Sequence, residues 1–188
     1  MIRHCLIHLL SCAVLMALGG SVWADEGKII VRFVDSELVD GVHEAEARVQ
    51  FQLSDRIEEA LANGITLRFE LTVDLSKQRR WWPDANVATI TVINFLRYNA
   101  VSQRYTLRNE NTGRQRSFAT IFAALNSMGR IDSLPLIDAA LLEPGARYRG
   151  VLHAEVTIDD YPLSLRYLLF WRDDWRVRSS GFAWSLAP

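Results

Sequence analysis

Over residues 65–75 apolar and polar side chains alternate without a break. Ile65, Leu67, Phe69, Leu71, Val73 and Leu75 fall on one side, and Thr66, Arg68, Glu70, Thr72 and Asp74 on the other. A period of two over this length predicts an antiparallel strand with one face in the core and one toward solvent. The same alternation sets Ala47, Val49, Phe51 and Leu53 against Arg48, Gln50 and Gln52, and Leu152, Ala154, Val156 and Ile158 against Val151, His153, Glu155 and Thr157. Further strands are predicted over 29–34, 87–98 and 101–108. The 87–98 segment is apolar on both sides, which places it centrally in a sheet. Asn109-Glu110-Asn111-Thr112-Gly113 is a run of turn residues and predicts a hairpin to a return segment.

Two helices are predicted between these strands. Asp55 can cap a short one, with Ile57 and Leu61 on its inner side and Asn63-Gly64 at its end. The second is expected over 117–128, where Phe118, Ile121, Phe122, Leu125 and Met128 recur at helical spacing and Gly129 stops it. Glu143-Pro144-Gly145 is a turn. Runs of strands with two short inserted helices predict a mainly β fold, an antiparallel β-sandwich or an open barrel, and not alternating βαβ units. A transmembrane barrel fits less well, because of the helix-period segment, a strand apolar on both faces and the brevity of the polar connections.

The first residues change the picture. Arg3, an apolar run ending near Leu18, Gly19-Gly20-Ser21 and then Val22-Trp23-Ala24 follow the order of a cleavable secretory signal peptide. The apolar run is shorter than the roughly 18 residues of a membrane-spanning helix. The expected organisation is a signal peptide over 1–24 and a single strand-rich periplasmic domain over 25–188. Leu9-Leu10-Ser11-Cys12 loosely matches a lipidation signal, but the better apolar segment follows the cysteine. Cleavage after Ala24 removes both Cys5 and Cys12, so the exported domain would hold no disulfide and no thiolate site. The formal net charge of −1 becomes one unit more negative without Arg3, unlike the basic surface of a nucleic-acid binder. Expected partners are an envelope protein or an anionic ligand, with no nucleic acid and no membrane span after cleavage.

Candidate chemistry is sparse. No motif calls for a cofactor, and no catalytic or metal-ligating set stands out. His153 and Glu155 lie two apart on a predicted strand and point the same way, as a shared proton or metal would require, but a solvated outer face explains them equally. His43, Glu44 and Glu46 also fit an outer face. The pairs Asp159-Asp160 and Asp173-Asp174 cannot converge on one atom along an extended chain, and they fit turns. Arg104, Arg108, Arg114 and Arg116 make the predicted hairpin locally basic, suited to anionic lipid or polymer or to solvent alone. Trp171, Trp175, Phe182 and Trp184 fit a last strand locked into the core.

The strongest local feature is Arg79-Arg80-Trp81-Trp82-Pro83-Asp84. Two guanidinium groups and two indoles can hold a carboxylate, a phosphate or a sugar ring, so Arg79, Arg80, Trp81 and Trp82 are the candidate ligand- or partner-binding residues. The competing role is packing: one indole closing the core, the other covering a strand edge, and the arginines stacked on them or paired with Asp84.

Arg80-Trp81-Trp82, Phe118, Ala124-Leu125 ahead of Gly129, Pro162-Leu163, and Trp175 through Ser180-Gly181 to Trp184 together resemble the bacterial envelope family called domain of unknown function 4390. The resemblance spans nearly all of the expected exported chain, departing after the tryptophan pair, where Pro83-Asp84 stands. It implies export and a single domain. Because the family's genes often neighbour a membrane sensor kinase, it also implies an envelope signalling partner, and it carries no catalytic residue over. The expected function is therefore a periplasmic binding or interaction module and not an enzyme. The alternatives are an envelope hydrolase with a site assembled from scattered serine, histidine and carboxylate residues, and a structural partner of a membrane complex.

Cleavage after Ala24 predicts an exported form that begins at Asp25 and carries no lipid. N-terminal sequencing and intact mass of the envelope-purified protein check this; an acylated Cys12 or a retained Met1 would contradict it.

Overall fold

The structure, a computed structural model, describes residues 27–159 and 176–186. The leader expectation, Asp160, Pro162-Leu163, Trp171, Asp173-Asp174 and Trp175 lie outside the described residues. Ten strands and two α-helices make the described part mainly β. The strands are β1 (Lys28–Val39), β2 (Val42–Gln52), β3 (Leu67–Lys77), β4 (Ala85–Asn99), β5 (Arg104–Asn109), β6 (Gln115–Phe118), β7 (Arg130–Asp138), β8 (Tyr148–Ile158), β9 (Val177–Arg178) and β10 (Phe182–Leu186). The helices are α1 (Asp55–Ala62) and α2 (Ile121–Gly129).

All strand pairings are antiparallel. One sheet has the order β1-β2-β7, and a larger one the order β10-β8-β3-β4-β5-β6 with β9 also beside β8. The two sheets form a sandwich-like pair and do not close into a barrel among the described residues. The alternation read from the sequence sets their facing. Leu67, Phe69, Leu71, Val73 and Leu75 of β3 are buried, as are Leu152, Ala154, Val156 and Ile158 of β8 and Ala45, Ala47, Val49 and Phe51 of β2. Phe51 meets Phe69 edge to face across the core, with centroids 5.3 Å apart and planes at 87°.

Several local expectations are corrected. The segments expected as separate strands at 29–34 and 47–53 belong to one long hairpin, turned by Asp40 and Gly41 with φ of 48° and 85°. Positive φ at both central residues matches the right-handed twist of the flanking strands, which is why Asp-Gly suits this position. The cap of α1 is Ser54, whose hydroxyl accepts from the Ile57 N–H; Asp55 is the first helical residue. The second helix starts at Ile121, capped by Thr120, while Ser117 and Phe118 belong to β6. Val101 lies in the turn before β5 and not in the strand.

Strand β7 is not announced by any alternation along the chain. It carries Pro135, which a central strand excludes, and it escapes that exclusion because, among the described residues, it pairs with β2 alone and lies at the sheet's edge. Gly129, expected merely to stop the helix, brings α2 against β2: a Cβ there would sit 1.9 Å from the Val49 carbonyl oxygen.

The sheets differ in width, and their two open sides differ in consequence. On one side β1 meets β8, β9 and β10, and the Trp184 indole N–H donates to the Ser36 hydroxyl at 3.2 Å. On the other side the smaller sheet ends at β7, while the larger continues through β4, β5 and β6. Helix α2 covers part of that overhang, touching β2, β5, β6 and β7. Inner-face residues Ala88, Ile90 and Val92 of β4 remain only half-buried in consequence.

Phe69→Ala is expected to cost about 3–5 kcal/mol, because a fully buried ring leaves a cavity. Val101→Ala, at a side chain 98 % exposed, should stay within about 0.5 kcal/mol. Gly129→Ala should cost about 1–3 kcal/mol through overpacking against backbone. Denaturant melts of the three variants check the order; a Phe69→Ala loss of about 0.5 kcal/mol or less would refute the facing of β3.

Candidate functional site

Residues 78–84 join β3 to β4, and the ladder runs up to the Lys77–Ala85 pair. The base of this loop is held from both sides. Lys77 forms an ion pair with Glu143, the Gln78 N–H donates to the Arg147 carbonyl at 2.8 Å, and Asp84 Oδ1 accepts from the Arg79 N–H at 3.3 Å. Beyond the base nothing covers the chain among the described residues. Arg79, Arg80, Trp81, Trp82 and Pro83 are all exposed, with Trp81 at 83 % and Trp82 at 75 %. The Arg80 guanidinium lies over the Trp81 ring, 5.5 Å from its centroid.

The four sequence candidates are thus brought together on one hairpin tip. Neither indole closes the core or covers a strand edge, and Asp84 receives a backbone N–H and, among the described residues, no guanidinium. Two adjacent exposed indoles are large apolar surface held in water, the kind of patch that marks an interaction site. Nothing local in the sequence marks Lys77, Glu143 or Arg147, whose contacts pin the loop, because the partners are distant in the chain.

The remaining candidates are dispersed. His43 is not on a solvated outer face; it is 3 % exposed, on the core side of β2 with Ala45 and Ala47. Glu44 accepts from the Ser133 hydroxyl, and Glu46 pairs with Arg48 at 2.8 Å. His153 and Glu155 do share the outer face of β8, but Glu155 is engaged by Arg176 at 2.9 Å and by Arg178. Neither histidine hydrogen-bonds to a serine or a carboxylate among the described residues. No group of three or more potential metal ligands occurs among them either.

The four hairpin arginines also separate. Arg104 is bound to Ser117 through its side chain, 2.7 Å to the hydroxyl and 3.0 Å to the carbonyl. Arg108 stacks on Phe95 at 4.7 Å, and Arg116 lies over Phe118 at 5.6 Å. Phe182 and Trp184 are half-buried in β10, beside β8, which accords with a last strand locked to the core.

Two antiparallel sheets of unequal width, with an exposed aromatic and basic hairpin tip, define a β-sandwich-like fold. The chain belongs to the family described as Domain of unknown function (DUF4390), whose family model matches residues 26–185. No curated protein and no solved structure matches it.

Since both indoles project into solvent, Trp81→Ala and Trp82→Ala should each leave stability within about 0.5 kcal/mol. Chemical denaturation checks this, and a loss near the 3 kcal/mol or more of a buried aromatic would show that the tip packs.

Proposed function

We propose that this chain is an exported periplasmic binding or interaction module whose contact surface is the β3–β4 hairpin tip. The observation that carries the reading is the side-by-side exposure of Trp81 and Trp82 beside Arg79 and Arg80 on a loop pinned at its base. Tryptophan supplies a large contact area with only two side-chain torsions, arginine a planar fork of donors, and both are enriched among the residues that dominate interface energetics. A fixed base lowers the ordering cost that binding would otherwise carry. The leader-like first residues support a site of action in the periplasm, and the family resemblance supports a partner linked to envelope signalling. The hydrolase alternative finds no serine, histidine and carboxylate assembled among the described residues.

Arg80→Ala, Trp81→Ala and Trp82→Ala, expressed in the full chain, should melt as the parent does and lose partners recovered by crosslinking in intact envelopes. Centre-of-interface aromatic or arginine truncations typically cost about 2 kcal/mol or more of binding, so recovery should fall by roughly tenfold or more. Variants that keep their partners would overturn the proposal, as would variants that lose partners and stability together.

A further inference from the structure

The overhang of the larger sheet leaves a cleft of about 540 Å³ between β4, β5 and β6 on one side and α2 and β7 on the other. Its size lies within the range of small-molecule sites, roughly 300–1,000 Å³. The floor is apolar, formed by core residues that include Leu71, Leu107 and Met128. Set into the same wall is a polar group that the core does not satisfy.

Asn94 pairs with Phe69 across the β3–β4 ladder, so its side chain stands on the inner face, and it is 7 % exposed. Its orientation is fixed by its neighbours. Asn109 Oδ1 accepts from both the N–H and the hydroxyl of Thr112, at 2.8 and 2.9 Å, which turns Asn109 Nδ2 toward Asn94 Oδ1 at 3.0 Å. The Asn94 oxygen is therefore the acceptor in that bond, and its Nδ2 keeps two N–H groups with no partner among the described residues. A buried amide in a roomy cleft calls for an acceptor from outside the chain.

The charge at the cleft has the matching sign. Arg116 pairs with buried Leu107 across the β5–β6 ladder and so stands on the inner face, and Arg114 lines the same cleft. Neither arginine has a carboxylate partner among the described residues. Asp132, the one acidic side chain in the lining among the described residues, is bound by Arg48 at 2.9 Å.

We propose that this cleft binds an amphiphile with an anionic head, a carboxylate or a phosphate monoester on a single alkyl chain. The alkyl chain lies on the Leu71, Leu107 and Met128 floor, and the head accepts from Asn94 Nδ2 and from the Arg114 and Arg116 guanidiniums. This site is distinct from the hairpin tip and does not depend on the function proposed for it.

Calorimetric titration of the delipidated protein with dodecanoate, dodecyl phosphate and dodecyltrimethylammonium, each below its micelle concentration, tests the proposal. Either anion should bind at one site, and the pair also shows which head the cleft prefers; the cation should bind at least about tenfold more weakly. Charge-assisted hydrogen bonds are the strong ones, so the Arg114→Ala/Arg116→Ala double variant should lose roughly tenfold or more in affinity for the anion. Both arginines are exposed, which keeps that variant folded. Asn94→Leu provides a second reading, with a several-fold loss expected. In the parent protein, the Asn94 side-chain amide resonances should shift on adding the anion. Absence of binding by both anions overturns the proposal, water then being the group that satisfies Asn94. Equal binding of the cation, or undiminished binding by the arginine variant, overturns it as well.

Discussion

The structure depends on covering one apolar face of β3. That strand is central in the larger sheet, bonded to β4 along one side and β8 along the other, and its inner side chains have almost no exposure. Strand β2 supplies the cover, and the perpendicular contact of Phe51 on Phe69 marks where the two sheets meet. Sheets with one apolar face have to bury it against another layer, and the sandwich follows from that requirement. Helix α1 carries the chain from one layer to the other, with Ile57 and Leu61 fully buried as it crosses.

Once β2 lies over β3, the unequal widths of the sheets decide the rest. The smaller sheet reaches β1 on the side where Trp184 bonds to Ser36, and there β1 packs against β8, β9 and β10. It stops at β7 on the other side, where β4 and β5 continue past it. An overhang of this kind leaves a polar inner-face residue within reach of water, which lowers the cost of burying an amide. Asn94 and Asn109 sit there.

The hairpin tip follows another logic. Its indoles gain nothing from the core, yet its base is fixed by Lys77 with Glu143 and by the Gln78–Arg147 backbone bond. A loop whose ends are held keeps these apolar residues facing water without drawing on them for the stability of the fold. Substitutions there separate contact from stability more cleanly than substitutions in the core.

The sequence by itself determined the strands whose two faces differ, β2, β3 and β8, because alternation is a local signature of which side meets water. It also placed the two helices, although not their first residues: caps depend on which hydroxyl reaches a free N–H, and Ser54 does so where Asp55 was expected, while Thr120 caps a helix that was expected to begin at residue 117. The Arg79 to Trp82 cluster was visible as composition, but its exposure was not, since a tryptophan pair after a strand serves core and surface equally well. Tertiary structure alone decided that β7 is a strand, because its ladder with β2 joins residues far apart in sequence and its proline is acceptable only at an edge. It alone decided that His43 faces the core. The Asn94 amide, without a partner for its Nδ2 among the described residues, is likewise a tertiary fact: it arises from a hydrogen-bond chain through Asn109 and Thr112 and from the width of one sheet relative to the other, and neither is written in the order of residues around it.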